Sequence, residues 1–196
     1  MLFQLLAWFV AANLVALDNE YVIVTRDAAP FAASHTGVAE RVIVALGDIE
    51  LNAGGTSRHL ARGDVAVFAA NEEYEAPTGA FFEVAIKSGH PPVQSPPELI
   101  APEKNAIRYD GPHFFVFEER LPPGETRARH SHSQRVVIQL NRTRLQQWPD
   151  NGYAVVVETV PERVSFNPPV IHVVQNIGEV PLRGIIVEFK PDAPAR

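Results

Sequence analysis

The feature that most constrains the fold of this chain is a series of short apolar runs rich in valine, isoleucine and phenylalanine. These residues favour β-strands, and the runs are bounded by glycine, proline, asparagine or aspartate, which favour turns. No long stretch shows helical periodicity. The predicted strands are 21–25, 41–46, 64–68, 81–86, 113–119, 135–140, 153–158, 163–166, 170–174 and 182–189. Many short strands at regular spacing predict an all-β sandwich or barrel.

The strand runs fall into two sets that resemble each other. RVIVAL at 41–46 is similar to RVVIQL at 135–140, and DVAVF at 64–68 is similar to RVSF at 163–166. The stretch between the sets contains two Pro-Pro pairs, and proline lacks the N–H that a sheet needs. A tandem repeat of one small β-domain explains these features. We therefore expect domains at 18–88 and 106–196, joined by a proline-rich linker at 89–105.

Composition excludes several classes of function. The formal net charge of -6 argues against nucleic acid as a partner, because phosphate binding needs a basic surface. The sequence has no cysteine, which excludes disulfides, thiolate metal sites and a cysteine nucleophile. Any metal must therefore be held by histidine, carboxylate or amide groups. No phosphate-binding loop, dinucleotide fingerprint or serine-hydrolase elbow is present.

The first residues form an uncharged and mostly apolar segment. Residues 2–17 are too few for a spanning helix of about 20 residues, and small residues precede the charged Asp18. We interpret residues 1–17 as a secretory signal peptide cleaved near Ala16, although its start has no lysine or arginine. A short hydrophobic N-terminal segment is the alternative. The first interpretation predicts a periplasmic or extracellular protein with no stable membrane span, and the second a cytoplasmic one.

Three histidines are the candidate metal ligands. His130 and His132 are two residues apart before a strand run, and alternate residues of a strand share a face. His172 follows about forty residues later, in NPPVIHVVQNIG. If the chain folds back as a hairpin, His172 can meet the first pair. Three nitrogen ligands with an open position are typical of catalytic metal sites.

These motifs resemble those of the cupin superfamily. GETRARHSH, from Gly124 to His132, matches the first cupin motif of Gly, five residues and His-X-His. The second motif is similar to the stretch from Pro168 to Asn176, where His172 and Asn176 keep their spacing but Val170 replaces a glycine. The resemblance covers roughly residues 106–190. It implies two tandem small cupin-type jelly-roll barrels (double-stranded β-helices) and a metal held by His130, His132 and His172.

The chain departs from the cupin pattern at the expected glutamate ligand. That residue should lie near position 136 or 137, where this chain has valines. The predicted site is therefore formed by three histidines without a carboxylate. Among cupins, three-histidine iron sites are typical of thiol and diketone dioxygenases, so the resemblance still allows catalysis. The metal is a divalent transition metal, and the sequence does not choose among Fe, Zn, Mn, Ni and Cu.

The first half lacks the same ligands. Aligning the two similar runs places Thr36 and Val38 at the positions of His130 and His132, and Tyr74 at that of His172. We therefore expect a degenerate cupin-like domain at 18–88 that serves as a scaffold.

Four further residues are candidates for the pocket around the metal. Gln134 shares strand parity with the His-X-His pair, and Arg127 and Arg129 lie just before it. An arginine near the metal could bind a substrate carboxylate bidentately. Phe166 could line the pocket. Each also has a simpler interpretation: a turn residue for Gln134, solvated charges for the arginines and core packing for Phe166.

Two main hypotheses of function follow, and the catalytic residues stay unknown. In the first, the protein is a metal-dependent enzyme of dioxygenase or isomerase type that acts on a small organic substrate. In the second, it is a non-catalytic cupin that binds a small molecule or serves a structural role, since a fold does not determine a function. The expected partners are a small molecule and, in a homodimer, a second copy of the chain.

Overall fold

The protein is described by a computed structural model that covers residues 14–26, 38–69, 71–87, 94–100 and 105–190. Every regular element within these ranges is a β-strand, which confirms the all-β prediction. No helix in these ranges is long and apolar enough to cross a bilayer. The strands are β1 Leu14–Asp18, β2 Val22–Arg26, β3 Val38–Ala45, β4 Ile49–Ala53, β5 Thr56–Leu60, β6 Val65–Ala69, β7 Phe81–Lys87, β8 Asn105–Asp110, β9 Phe114–Leu121, β10 Thr126–His132, β11 Arg135–Gln139, β12 Arg144–Pro149, β13 Val155–Glu158, β14 Val164–Asn167, β15 Val170–Asn176 and β16 Leu182–Phe189.

The strands of the two halves have the same order. The first half forms a five-stranded sheet in the order β1-β2-β7-β3-β6, with a separate hairpin of β4 and β5. The second half forms a five-stranded sheet in the order β8-β9-β16-β11-β14, and a four-stranded sheet in the order β10-β15-β12-β13. The two similar sequence runs therefore occupy the same place, because β3 lies between β7 and β6 as β11 lies between β16 and β14.

A shared apolar core joins the two five-stranded sheets. Residues of β2, β3 and β7 pack in one cluster with residues of β9, β11 and β16. Because successive side chains of a strand point to opposite faces, one set lies in this shared core and the other set lies in the interior of each half. On β9, Phe114 and Val116 face the shared core, while Phe117 packs with Val137 and Ile186 inside the second half. Burial of each such side chain contributes roughly 1.5–3 kcal/mol.

A buried carboxylate lies on the face of β9 that carries Phe114 and Val116. Glu118 has no exposed surface and accepts hydrogen bonds from Arg108 at 2.6 Å, Arg120 at 2.5 Å and Arg183 at 2.6 Å. Burial raises its pKa, but the hydrogen bonds from Arg120, Arg108 and Arg183 outweigh burial and hold the pKa at about 2. Arg183 also donates to the backbone oxygen of Arg62 at 3.3 Å, so this cluster links the second half to the first.

The predicted strands all correspond to observed ones, but six observed strands were not predicted. They are β1, β4, β5, β8, β10 and β12. Most of them carry charged or polar side chains on an exposed face, which weakens the apolar signal. Most of the predicted signal peptide lies outside the described residues, while its last residues form part of β1. The predicted linker is described only at 94–100 and at its last residue, so the domain boundaries stay predictions.

Candidate metal site

Strands β10 and β15 bring the three predicted ligands together. They pair antiparallel, with His130 directly opposite His172 and His132 opposite Val170. Residues directly opposite each other in an antiparallel pair point to the same face of the sheet. His132 shares that face because it follows His130 by two residues. The pairing of two strands therefore determines the position of all three imidazoles, which lie at the inner face of the four-stranded sheet.

The ring nitrogens of the three histidines converge in the interior of the second half. The Nε2 atom of His130 lies 3.1 Å from Nε2 of His132 and 3.1 Å from Nε2 of His172. All three side chains are buried, with exposed fractions of 1%, 2% and 6% for His130, His132 and His172. Their ligating atoms all lie within 4.8 Å of one another.

The outer ring nitrogens fix the tautomers of two of these histidines. Nδ1 of His130 lies 2.9 Å from the backbone oxygen of Ala128, and Nδ1 of His132 lies 2.7 Å from Oε2 of Glu188. The carbonyl oxygen of Ala128 can only accept, and so can the ionised carboxylate of Glu188, so each Nδ1 carries the proton and donates it. A neutral imidazole protonated at Nδ1 has a lone pair on Nε2. The Nε2 atoms of His130 and His132 therefore face each other as bare acceptors.

All three histidines are held in the neutral form. Burial lowers the pKa of His130, and the positive charge of Arg127 adds to this effect. Burial and the charge of Arg135 lower the pKa of His132 well below its usual value. Burial and the two neighbouring histidines lower the pKa of His172 to about 2. Neutral imidazole is the form that binds metals.

The donor set fits a divalent transition metal. The Nε2 lone pairs of His130 and His132 face each other without a proton between them and repel, and a cation between the three rings removes this repulsion. Metal–nitrogen bonds of about 2.1 Å that meet near a right angle place neighbouring nitrogens about 3.0 Å apart, close to the separations here. Imidazole is a ligand for Zn, Cu, Fe and Ni. The residues present therefore suit such an ion.

Glu188 supports one of the ligands from outside the cluster. Its Oε2 accepts the Nδ1 proton of His132, and its Oε1 accepts the backbone N–H of Ser133 at 2.7 Å. Burial raises the pKa of Glu188 to about 7, although the Ser133 N–H and the charge of Arg135 oppose this rise. Arg135 lies directly opposite Glu188 in the antiparallel pairing of β11 and β16. Carboxylates in this position orient a metal-binding histidine and raise its basicity.

The position of the missing cupin glutamate is resolved by the two faces of β11. Val137 packs inside the second half, whereas Val136 lies in the shared core. Val137 therefore holds the place from which a carboxylate could reach the metal. A different carboxylate, Glu119 on β9, lines the same cavity as the histidines and forms an ion pair with Arg127. Burial lowers the pKa of His130 and His132, and the nearby negative charge of Glu119 partly opposes this lowering.

A small cavity lies beside the histidines. Its volume is about 100 Å³, which corresponds to roughly three water molecules. Its wall combines charged and amide groups with aliphatic side chains, so one part can bind a polar group and another excludes water. The lining residues are Glu119, His132, Arg135, Val137, Gln139, Leu145, Gln147, Asn167, His172, Val174, Leu182 and Ile186.

The structure places the two candidate arginines differently. Arg127 is buried and faces the interior, where it pairs with Glu119 beside the histidines. Arg129 points outward and pairs at the surface with Asp150 at 2.6 Å and Glu98 at 3.0 Å. Residues two positions apart on a regular strand share a face. Here a bulge between Arg127 and His130 shifts the register, so Arg127 and Arg129 point to different faces.

Gln134 and Phe166 lie away from the cavity. Gln134 is only partly buried, and its side chain interacts with Tyr21 of the first half. Phe166 packs against the shared core, where its ring stacks on Tyr21 at 5.5 Å and lies 6.3 Å from that of Phe189. Gln134 does not continue the alternation of β10, because that strand ends at His132. The core interpretation therefore describes Phe166.

The first half has different side chains at the corresponding place. Tyr74 forms a bridge with Ala53 on β4, as His172 pairs with Pro149 on β12. The Tyr74 ring stacks on Phe68 at 4.4 Å within an apolar cluster, and the guanidinium of Arg41 lies 4.9 Å from its centre. Thr36 lies outside the described residues. Within the described ranges, the only group of three ligating side chains is that of the second half.

Sequence reasoning missed Glu119, Arg135 and Glu188 as parts of the site. Each of them is a charged residue on the inner face of a strand: Glu119, for example, follows Phe115 and Phe117 at alternate positions of β9. A charged residue at an inward position of a buried strand is the signal that could have found them.

Comparison with known proteins identifies relatives through structure. No protein-family model matches the sequence, and no curated protein matches it. A Pseudomonas aeruginosa protein provisionally named as glyoxylate-induced is 13% identical, with a TM-score of 0.65 over 90% of this chain and 78% of that one. A cupin 2 conserved barrel domain protein from Leptotrichia buccalis is 16% identical, with a TM-score of 0.54 over 91% and 88%.

A third structure has the same architecture. Oxalate decarboxylase from Bacillus subtilis is 14% identical, with a TM-score of 0.55 over 88% of this chain and 68% of that one. Identities this low demonstrate a shared fold and leave the chemistry of the site to its own residues. Together with the strand order and the paired jelly-roll sheets described above, these likenesses show that the chain has the cupin fold.

Proposed function

We propose that the protein binds one divalent transition metal through His130, His132 and His172, and that the second barrel uses it to act on a small anionic organic molecule. The observation that carries this proposal is the convergence of the three buried Nε2 atoms. Nε2 of His130 lies 3.1 Å from Nε2 of each of the other two histidines, and its contact with His132 has no proton for a hydrogen bond, which suits a shared cation. Neutral ligands leave the full charge of the ion in place, which favours an anionic substrate.

The bound metal would be Fe, Zn, Mn, Ni or Cu, since three imidazoles and no thiolate suit these ions in different degrees. Such an ion supplies Lewis-acid polarisation of substrate oxygen atoms, and iron adds oxygen chemistry. Three protein ligands leave coordination positions open. Oxidation of a small acid or enol is therefore the reaction class we favour, with isomerisation as the second.

Arg135 is the residue best placed to hold a carboxylate. It lines the cavity with His132 and His172, and its Nη1 donates to the backbone oxygens of Ser133 at 3.2 Å and Pro168 at 2.8 Å. These bonds fix one edge of the guanidinium. Its Nε and Nη2 make no hydrogen bond to the described residues, so the other edge can bind a carboxylate bidentately.

The cavity limits the size of the substrate, and part of its wall is apolar. A volume of about 100 Å³ suits a molecule with only a few non-hydrogen atoms. Val137, Leu145 and Ile186 form part of the apolar wall. In a buried site the attraction between the substrate charge, the metal and Arg135 is stronger than in bulk water. Arg127 remains paired with Glu119, which leaves Arg135 as the cation available to a ligand.

The alternative is a binding module without catalysis. The observation that favours it is Val137, because it replaces the carboxylate ligand with an apolar side chain and leaves the metal without a nearby base on β11. In that case the barrel would hold a small acid on the metal and release it unchanged. Export of the protein remains a further proposal, which rests on the apolar segment at 1–17 and can be tested by fractionating cells that express the full chain.

Turnover assays separate these functions. The metal-free protein would be loaded separately with Fe(II), Zn, Mn, Ni and Cu, and each form incubated with a panel of small oxo, hydroxy and dicarboxylic acids. Substrate loss would be followed by NMR and oxygen uptake by an electrode, with His172→Gln as the metal-free control. We expect one metal form to consume an acid and the variant to be inactive. Binding of an acid to a metal form without turnover would favour the binding module.

A further inference from the structure

The exposed apolar side chains of the protein are concentrated in one region. Eleven large hydrophobic residues of the described ranges are exposed, and eight of them lie within residues 148–160 and 177–180. Scattered exposed apolar residues are ordinary, but a cluster marks an interaction surface. The eight residues are Trp148, Tyr153, Val155, Val156, Val157, Val160, Ile177 and Val180.

The centre of this region is β13, the edge strand of the four-stranded sheet. Among the described strands, β13 pairs only with β12. All four of its residues are exposed, although three of them are valines. Val155 and Val157 point to one face and Val156 to the other, so the strand exposes apolar groups on both faces. Its outer backbone N–H and C=O groups lack a strand partner in the described part of the chain.

Apart from its length of only four residues, β13 lacks the features that prevent edge strands from pairing. Such strands are usually protected by bulges, prolines or inward-pointing charges. The edge strand β10 has a bulge between Arg127 and His130, and the edge strand β8 has a bulge between Ile107 and Tyr109. β13 has a regular register with β12 and contains neither proline nor a basic residue. Its only charge, Glu158, lies at its end and pairs with Arg142 of the same chain.

We propose that β13 pairs antiparallel with β13 of a second copy of this chain. This pairing joins the two four-stranded sheets into one eight-stranded sheet across a two-fold axis. A two-fold interface needs a patch that complements itself, and an uncharged valine strand does so. In the two-fold register that places Val156 opposite Val156, Val155 lies opposite Val157 and the two Glu158 carboxylates lie at opposite ends of the paired segment. The pairing therefore brings no like charges together.

The side chains next to β13 enlarge the contact. Tyr153 precedes the strand with an exposed fraction of 92%, and Val160 follows it. An antiparallel pair centred on Val156 places Tyr153 of each copy diagonally across from Val157 of the other, on the same face of the sheet. The aromatic ring would then cover an apolar group that is otherwise in water, as aromatic residues do at the centre of protein interfaces.

The oligomeric state in solution tests this proposal. The full chain would be measured by light scattering after size exclusion over a range of concentrations, beside Val156→Lys and the matched variant Ile107→Lys. Both substitutions add a lysine at an exposed edge-strand residue, since Val156 is 53% and Ile107 56% exposed. We expect a dimer for the wild type and Ile107→Lys and a monomer for Val156→Lys. Circular dichroism would verify that both variants are folded.

Hydrogen exchange provides a second readout on the wild type alone. Dilution into monomer should speed the exchange of outer-edge amides in residues 155–158 and leave those of β8 unchanged. A wild type that is monomeric at all concentrations would overturn the proposal. So would a dimer that persists in Val156→Lys, or a dimer that is lost in both Val156→Lys and Ile107→Lys. A complex with a different protein and no self-association would assign β13 to another partner and equally contradict it.

Discussion

Nδ1 of His132 lies 2.7 Å from Oε2 of Glu188, although the two residues are 56 positions apart in the chain. This hydrogen bond joins β10, which carries two of the candidate ligands, to β16, the central strand of the five-stranded sheet of the second half. It sets the tautomer of His132, so that the other ring nitrogen faces the remaining histidines. The two sheets of the second barrel are therefore connected through the site itself.

The first prediction concerns this hydrogen bond. Glu188→Gln keeps the size of the side chain but removes the negative charge that polarises His132, and it turns an amide N–H toward one of the two donors. Loss of such a partner lowers metal affinity by about 10- to 100-fold. Isothermal titration of the metal-free protein with Zn or Fe(II) would measure this change.

A surface glutamate provides the control for that titration. Glu179 is exposed and lies outside the cavity lining, so Glu179→Gln should bind metal as the wild type does. Equal affinities for the wild type and Glu188→Gln would show that the bond to His132 is not needed to orient the ligand.

The second prediction tests the position of the missing cupin carboxylate. Val137→Glu introduces a carboxylate into the wall of the cavity, where it can join the three histidines as a ligand. The metal-free variant should be less stable than the wild type, because the new charge is buried. Metal should recover this loss and bind more tightly than in the wild type, as thermal unfolding with and without metal would reveal.

Val136→Glu is the matched control for this substitution. Val136 faces the shared core between the two five-stranded sheets, so its glutamate cannot reach the metal. It should destabilise the protein equally with and without metal. If metal stabilised both variants to the same extent, the assignment of opposite faces to Val136 and Val137 would be wrong.

The third prediction concerns pH and the buried carboxylate of Glu118. Its pKa is about 2 in the folded protein, against an ordinary value of 4.5, because hydrogen bonds from three arginines outweigh burial. The unfolded chain therefore binds more protons between these values, and stability falls as pH decreases from 4.5 toward 2. The full shift corresponds to about 3 kcal/mol, and since the arginines are partly exposed we expect about 2 kcal/mol.

Urea unfolding of Glu118→Gln measures this contribution. The variant should be less stable than the wild type at pH 7, and the difference should shrink as pH approaches 2. Asp110→Asn is the control, because Asp110 forms an exposed ion pair with Lys190 and should change stability by less than about 1 kcal/mol. A difference between wild type and Glu118→Gln that does not depend on pH would contradict the charged state of Glu118.

The fourth prediction separates a structural residue from the metal ligands. Asn176 is fully buried; its amide donates to the backbone oxygens of Leu121 and Val180 at 2.8 Å each, and its oxygen accepts from Thr143 and Gly178. Asn176→Ala leaves these groups without partners, so unfolding in urea should show a loss of about 3 kcal/mol.

Metal titration of the same variant is the discriminating measurement. At a temperature where Asn176→Ala is still folded, its metal affinity should equal that of the wild type. A stable variant with weakened metal binding would instead assign Asn176 to the metal site.

The sequence predicted the class of fold and the three ligands for a clear physical reason. Strand propensity and the two-residue alternation are local properties, so the apolar runs and the shared face of His130 and His132 are readable without a structure. The partnership with His172 needed the resemblance to a known motif, because residue pairing across strands is set by the register of β10 and β15.

The rest of the site depends on contacts between distant strands. Glu119, Arg135 and Glu188 come from three strands of the opposite sheet, and no local pattern places them beside the histidines. The bulge in β10 separates Arg127 from Arg129, which a regular strand would have kept on one face. Phe166 shows the same difficulty, since the sequence does not indicate which of two apolar interiors an aromatic ring fills.

Metal content tests the central claim most directly. The wild type and a His130→Ala/His132→Ala variant would be purified without chelators or added metal, and their transition metals measured by elemental analysis. The wild type should hold close to one ion per chain and the folded variant none. A wild type that holds no metal, even after loading with Fe(II), Zn, Mn, Ni and Cu, would contradict the three-histidine site and the function proposed for it.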